Sequence, residues 1–474
     1  MRKNLWGIAA ILACWILVQP QPVAGQESNY RQNAWERIAE SDAGQVEALA
    51  GEYKDFLHRA RHELLAVTEA ERLAQAQGFR PIESADQLNP GDRVYAVNRG
   101  RAMILAVVGQ APLTEGSVLI AAHIDTPRIE LKANPLYESE GFAMFQTTYY
   151  GGIKSYQWAS VPLALVGRVN KKDGSEVNIA MGLDGEPYLV IPDLAPHVDR
   201  EFRERSQREV LKAEELDPVV GSRPDASGSV TGTVEAVLKQ KYGLTMEDFV
   251  SAQLALVPAL PPADVGLDAS MIGAYGHDDM LCSFVALRAL FDVRAPARTA
   301  MVYLAANEEV GSHNVMGAQS PFLADTVLTL LEKQSGREAG LRAHRQALAT
   351  IHAISADVTT GVHPTFASVQ EKTNAARLGG GVVIKRYGRG TEPTTEMLAQ
   401  VRRLLDDNDI PWQTHTHKVG IGGGSTLDRY LSDDGMDTVD IGVAILAMHA
   451  TWGLASKMDL WWLDQYFLAS YAAE

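Results

Sequence analysis

Between residues 29 and 78, apolar side chains recur at helical spacing among Ala, Glu, Leu and Arg, which predicts one or two amphipathic helices packed on a larger body. The period then changes. Short continuous apolar runs at 104–108 and 118–122, parted by a turn through Pro112 and Gly116, read as buried strands. Runs of the same kind lie at 254–258, 301–306, 351–356 and 443–448, and the longer stretch 280–290 reads as a buried helix. Strands alternating with helices of this length predict an α/β fold with its sheet covered on both faces. From 132 to 262 the pattern is different: short strands and loops, a run of alternating charge at 199–215 that reads as a solvated helix, and a Gly/Ser-rich stretch at 221–232. A second, mostly β domain at 132–262, inserted into a first domain built from 29–131 and 263–474, is the organisation this predicts. There is no internal repeat and no long low-complexity tract.

The residues at the ends of the apolar runs carry the chemistry. His123 and Asp125 follow 118–122, Asn307, Glu308 and Glu309 follow 301–306, Asp357 follows 351–356, His449 follows 443–448, and Asp278 and Asp279 open 280–290. Open α/β sheets place their sites where strands end, and adjacent carboxylates there are costly unless a cation sits nearby. Each residue alone has a plainer reading. Glu308 and Glu309 could be an exposed pair, Asp278, Asp279 and Asp357 helix caps, Asp125 a turn residue before Pro127, and either histidine a satisfied polar group. Those readings do not require that all of them fall at the ends of apolar runs.

Together, His123, Asp278, Glu309, Asp357 and His449 supply two imidazoles and three carboxylates. With one carboxylate bridging, that set suits two divalent cations roughly 3.5 to 4 Å apart with a shared water or hydroxide between them as nucleophile. Mixed His and carboxylate ligation favours Zn²⁺, with Mn²⁺ or Co²⁺ as alternatives. Asp125, on the same face of an extended chain as His123, is expected to accept the second ring N–H. Glu308 is left as the general base of a hydrolysis. His415 and His417 alternate on an expected strand and read as a surface or subunit-contact pair. The glycine-rich turn at 420–431 has neither the lysine of a phosphate loop nor Rossmann spacing, which argues against a nucleotide site.

Composition narrows the partners. The chain has 474 residues, 46% of them hydrophobic, enough for one large or two ordinary domains. A formal net charge of -16 with no basic patch argues against nucleic acid and anionic lipid. Arg2 and Lys3, an apolar run at 5–18 and the small pair Ala24 and Gly25 have the layout of a secretory signal peptide over residues 1–25, so export to a periplasm or the medium is expected. Cys14 gives a weaker lipoprotein-anchor reading. No later apolar stretch reaches the roughly 18 residues of a membrane span, and with the leader removed Cys282 is the one cysteine left, expected to be buried.

Seven stretches, AAHIDTP, HDDMLCSF, NEEVGS, SADVTTGVHP, GVVIK, GGGSTLDRY and LAMHATWGLASKMD, resemble in order those of the aspartyl aminopeptidase family of dinuclear metallopeptidases. The resemblance implies a zinc-peptidase-like α/β/α sandwich with an inserted dimerisation domain, assembled as a dodecamer. It implies His123, Asp278 and Asp357 around one metal and Asp278, Glu309 and His449 around the other, with a cis peptide bond after Asp278. Asp125 would orient His123, and Glu308 would be the base. Lys385, in GVVIK, would contact substrate, and His197, in VIPDLAPH, would reach into a neighbouring subunit's site. Removal of N-terminal residues from peptides, acidic ones included, is the implied activity. Three positions depart from the family pattern: His277 replaces an apolar residue, Thr360 a histidine and Gly453 an acidic residue, which puts the acidic preference in question. Two other readings stand beside this one, a deacylase-like amidohydrolase on the same scaffold and a metal- or peptide-binding relative without turnover.

Overall fold

In the computed structural model, residues 30–388, 392–421, 423–424 and 426–473 are described. Residues 1–25, where a leader is expected, and Gly422 and Ser425 of the glycine-rich turn, lie outside them. The main sheet has nine strands in the spatial order Arg80–Pro81, Arg93–Asn98, Ala102–Val107, Thr299–Ala305, Ser117–His123, Ile351–Ala356, Asp437–Gly442, Val382–Lys385 and Trp412–His415. Four neighbours at its centre, from Thr299–Ala305 to Asp437–Gly442, are mutually parallel, so their C-terminal ends share one rim.

Alternation along each central strand sends side chains to two different cores. Ile120, Ala122, Val302, Leu304, Ile354 and Ala356 join one with the helices Ala43–Arg59, His277–Asp292, Thr395–Asp407 and Lys457–Ala472. Leu119, Ala121, Met301, Tyr303, Ile351 and Ala353 join the other with Phe322–Ser335 and Leu341–Ala349. Both faces are thus covered by helices, which is why the strands read as unbroken apolar runs.

A second, antiparallel sheet of six strands is built from residues 128–258, with the helix Val230–Tyr242 packed on it around a core of its own. A third sheet of five short strands contains the pair Ala444–Leu446 and Gly453–Ser456, whose connection carries His449. Residues 199–215 are not the helix that their charge pattern predicts; they form turns with one 3-10 turn at Ala213–Glu215. Phe202, Val210 and Leu211 are too few to make an apolar stripe, and without one a short charged helix has little to hold it in water. No helix among the described residues is long and apolar enough to cross a membrane.

Candidate metal centre

The rim of the parallel strands gathers the residues named from the sequence. His123 ends its strand and lies opposite Ala305 in the neighbouring one; Glu308 and Glu309 follow two residues beyond Ala306 and Asp357 directly follows Ala356. The turn Glu308–Val310 is compact because Asn307 (φ 64°) and Gly311 (φ 95°) on either side are left-handed, a conformation Asn tolerates and Gly adopts freely. Asp278 and Asp279 stand at the start of the helix His277–Asp292, joined by a cis peptide bond.

Asp278 sits between the two histidines. Its Oδ1 is 3.1 Å from His123 Nε2 and its Oδ2 is 3.1 Å from His449 Nε2. The other nitrogen of each ring faces a backbone carbonyl, Asp125 O at 2.9 Å from His123 Nδ1 and Gly152 O at 2.8 Å from His449 Nδ1. A carbonyl only accepts, so each Nδ1 carries a proton and each Nε2 is directed at the carboxylates. His123 Nε2 is 3.8 Å from both Glu308 Oε2 and Asp357 Oδ1, and His449 Nε2 is 3.4 Å from Glu309 Oε1. Potential ligand atoms of His123, Asp279 and Asp357, of His123, Glu308 and Glu309, and of Asp278, Glu309 and His449 each lie within 4.8 Å of one another. Asp279 is therefore also at the centre, although the sequence reading gave the ligand role to Asp278 alone.

The electrostatics of this cluster favour a cation. Burial opposes the charge on His449, but the hydrogen bond to Asp278 and the nearby Glu309 raise its pKa to about 10. Burial raises Glu308 to about 7, with Asp357, Asp278 and Asp125 adding to the rise and His123 opposing it. Asp357 Oδ1 is buried and accepts no hydrogen bond from any described residue. A buried lone pair without a donor, beside imidazole nitrogens and further carboxylates, is what a divalent-cation site presents, so the donor set fits a metal.

Asp125 differs from its expected role. It is fully buried, and its backbone carbonyl, not its carboxylate, makes the short contact with His123; Oδ1 is 3.5 Å from Nδ1. The carboxylate instead accepts the backbone N–H of Glu308 (3.0 Å) and Glu309 (3.1 Å) and the hydroxyl of Tyr150 (2.7 Å). It pins the turn that presents the two glutamates.

Lys385 lines the same cavity, of about 560 Å³, but its ammonium is engaged. Nζ is 2.9 Å from Asp357 Oδ2 and 3.1 Å from Asp440 Oδ1. His197 is exposed in the 128–258 region and is not among the residues lining the cavity. His415 and His417 are corrected: they line the cavity instead of forming a surface pair. The strand Trp412–His415 runs parallel to Val382–Lys385 with His415 level with Lys385, which turns the alternation inward. His415 Nδ1 accepts the N–H of Ala376 at 3.2 Å, so Nε2 carries the proton and donates to His417 Nδ1 at 3.4 Å. Burial, then His417 and Lys385, push His415 down to about 3, which keeps it neutral. Asp440, Tyr150 and Gly152 were also missed, and only Asp440, in the strand Asp437–Gly442, carried a signal: a carboxylate between the apolar Val439 and Ile441.

Two departures from the family pattern are neighbours in space. His277 is buried and satisfied, with Tyr53 donating its hydroxyl to Nδ1 at 2.8 Å and Nε2 donating to the Ile272 carbonyl at 3.1 Å. A Cβ at Gly453 would lie 3.3 Å from His277 Cδ2 and 3.2 Å from Leu446 O, so the imidazole and the missing side chain go together. Tyr53→Phe is expected to cost about 1–3 kcal/mol in urea unfolding, by leaving His277 Nδ1 buried without a donor. An unchanged midpoint would remove this pairing as a contribution to stability.

Imidazole and carboxylate donors converging at the rim of a parallel α/β sheet, beside a carboxylate suited to take up a proton, define a metal-dependent hydrolase. The chain belongs to the aminopeptidase I zinc metalloprotease (M18) family, whose model matches residues 56–471. It is 38% identical over 445 residues to "Probable M18 family aminopeptidase 1" of Clostridium acetobutylicum, covering 90% of this chain and 95% of that protein. The crystal structure of the M18 aminopeptidase of Thermotoga maritima matches with a TM-score of 0.88 at 36% identity, over 93% of this chain and 99% of that one. The aminopeptidase I structure of Clostridium acetobutylicum gives 0.85 at 34%, over 93% and 99%. The chain is accordingly an enzyme of the metallo-aminopeptidase type, acting on peptide bonds, and its mixed α/β fold is that of the family.

Proposed function

We propose that this protein is an exported aminopeptidase using two divalent cations, Zn²⁺ first among them, to release N-terminal residues from peptides. The observation that carries the reading is Asp278, whose two carboxylate oxygens each lie 3.1 Å from a different imidazole Nε2, as a bridging ligand requires. His123, Asp278 and Asp357 would hold one ion, with Asp279 beside them, and Asp278, Glu309 and His449 the other. Bound there, such ions supply Lewis acidity toward the scissile carbonyl and acidify water. Glu308 takes the proton of the attacking water and delivers it to the leaving amine, a task suited to a group near neutrality. Asp125 holds the backbone of Glu308 and Glu309 in register. Export rests on the leader at 1–25.

We propose residues 132–262 as an inserted domain serving dimerisation within a homo-oligomer. The Saccharomyces cerevisiae relative, 21% identical, was solved as a dodecamer. The exposed position of His197 is compatible with a reach into a neighbouring subunit.

Substrate preference follows from the charges around the cavity. Lys385 is shared between Asp357 and Asp440, Arg386 is paired with Glu392 at 2.8 Å, and Lys418 is exposed at the mouth with its ammonium on the Ser368 carbonyl. Val358, Val369, Ile421 and Met448 supply apolar wall. A carboxylate side chain brought inside would find no uncommitted buried cation among the described residues, so uncharged N-terminal residues are favoured. On a panel of aminoacyl substrates with added Zn²⁺, Mn²⁺ or Co²⁺, neutral residues are expected to exceed Asp and Glu by about tenfold or more in kcat/KM. Faster release of Asp would reverse this preference. Turnover confined to N-acylated amino acids would replace the aminopeptidase by the deacylase.

A further inference from the structure

The segment Tyr150-Gly151-Gly152 carries no carboxylate and no imidazole, yet it touches both ends of the centre. Tyr150 closes the strand Phe142–Tyr150 of the six-stranded sheet. Its hydroxyl donates to Asp125 Oδ2 at 2.7 Å and accepts from Asn307 Nδ2 at 3.2 Å. Asp125 in turn holds the N–H groups of Glu308 and Glu309. Two residues on, the Gly152 carbonyl accepts the Nδ1 proton of His449 at 2.8 Å. Gly151 between them has φ +72°, and a Cβ there would lie 3.2 Å from Glu309 Cβ and 3.3 Å from Pro127 Cβ, so the loop lies directly against the glutamate turn.

The phenol is itself held. The Arg128 guanidinium carbon lies 3.9 Å from the centre of the Tyr150 ring. That guanidinium is fixed in turn by Glu63, with Nη1 at 3.0 Å from Oε2 and Nη2 at 3.1 Å from Oε1, and by Glu130 at 2.8 Å. The ring therefore cannot swing away without breaking a cation–π contact that rests on buried ion pairs.

We infer that Tyr150 is a positioning residue for the reaction, acting through Asp125 on Glu308 and Glu309, and that its loop ties the geometry of the centre to the six-stranded sheet. The physical reason is the state of Asp125. Its carboxylate is fully buried, and among the described residues Tyr150 supplies the one side-chain hydroxyl in its hydrogen bonds. Without that hydroxyl, Oδ2 keeps a single N–H and the Asn307 amide loses its acceptor, so the glutamate turn is free to shift. Supporting partners of this kind typically matter by about 10- to 100-fold in metal affinity or activity.

The inference rests on the proposed aminopeptidase activity, and its test separates the two. Tyr150→Phe keeps the ring on Arg128 and removes only the hydroxyl; Tyr149→Phe, at an exposed neighbour, is the control. Each full-length variant is compared with wild type in kcat and KM on an aminoacyl substrate, in Zn²⁺ titration of chelator-stripped protein, and in Tm. For Tyr150→Phe, kcat is expected to fall about 10- to 100-fold with KM within about twofold, and the weaker Zn²⁺ step to weaken about tenfold. Tm should fall by no more than a few degrees, since Asp125 Oδ2 keeps the Glu309 N–H, and Tyr149→Phe should match wild type throughout. Wild-type kcat and Zn²⁺ affinity in Tyr150→Phe would overturn the inference, as would a loss of activity that only follows a lowered Tm. If wild type itself releases no N-terminal residue, the proposed activity fails, and the Zn²⁺ titration alone decides the role of Tyr150.

Discussion

Glu308→Gln is expected to lower kcat by about 10²- to 10⁴-fold while leaving KM and the bound metal largely unchanged. The substitution is isosteric and leaves the backbone intact, so the Glu308 N–H keeps its bond to Asp125 Oδ1 at 3.0 Å and the turn stays in place. What disappears is the capacity to accept a proton at a position 3.8 Å from His123 Nε2. An amide cannot take a proton from the attacking water or pass one to the leaving amine. The loss amounts to about 3–5 kcal/mol in the activation barrier. Metal content measured on the same preparation separates this from a damaged site. A variant that binds metal as wild type does and still turns over within a few-fold of it would remove Glu308 from the mechanism.

Asp278→Asn should go further, because it changes the carboxylate that contacts both imidazoles. Burial by itself would raise the pKa of this carboxyl, and the hydrogen bonds from His123 and His449 outweigh it and hold it well below the usual carboxylate range. The substitution turns one carboxylate oxygen into an amino group, so one imidazole meets a donor in place of an acceptor. Bound metal is expected to fall from two ions to one or none, with activity lost by at least about 100-fold, the lower bound being what mere supporting residues cost elsewhere. Chelator-treated variant protein should also be less stable than chelator-treated wild type by up to about 3 kcal/mol, since the buried His123 and the half-buried His449 lose their shared counter-ion. Two ions retained in the variant would show that the bridge lies elsewhere, with Asp279 the first residue to test.

Much of this centre was legible along the chain because the sheet is buried on both faces. A parallel strand covered by helices has to be apolar throughout, so a histidine or carboxylate where the run stops stands out, as His123, Glu308, Glu309 and Asp357 do. The same logic hid other parts. The helix Lys457–Ala472 is buried nearly all round, from Met458 and Leu460 to Trp462, Leu463, Tyr466 and Phe467, so it lacks the one-sided period that marks the helices Ala43–Arg59 and Glu63–Ala76. The charged run at 199–215 misled in the other direction, since alternating signs suit a helix only where something apolar anchors it.

The sequence by itself determined the α/β pattern, the two-faced strands and the acidic and imidazole residues at their ends, because burial and backbone period act locally and leave a local trace. Which donor meets which acceptor was decided by the tertiary structure. Asp125 turns its carboxylate to a turn 183 residues away in the chain, and Lys385 is taken up by Asp357 and Asp440 instead of standing free for substrate. His415 lines the cavity because its strand pairs with Val382–Lys385, His417 follows just beyond that strand, and Tyr150 arrives from a different sheet. These are matters of register between distant segments, and a hydrogen bond of about 3 Å depends on that register to within a fraction of an ångström.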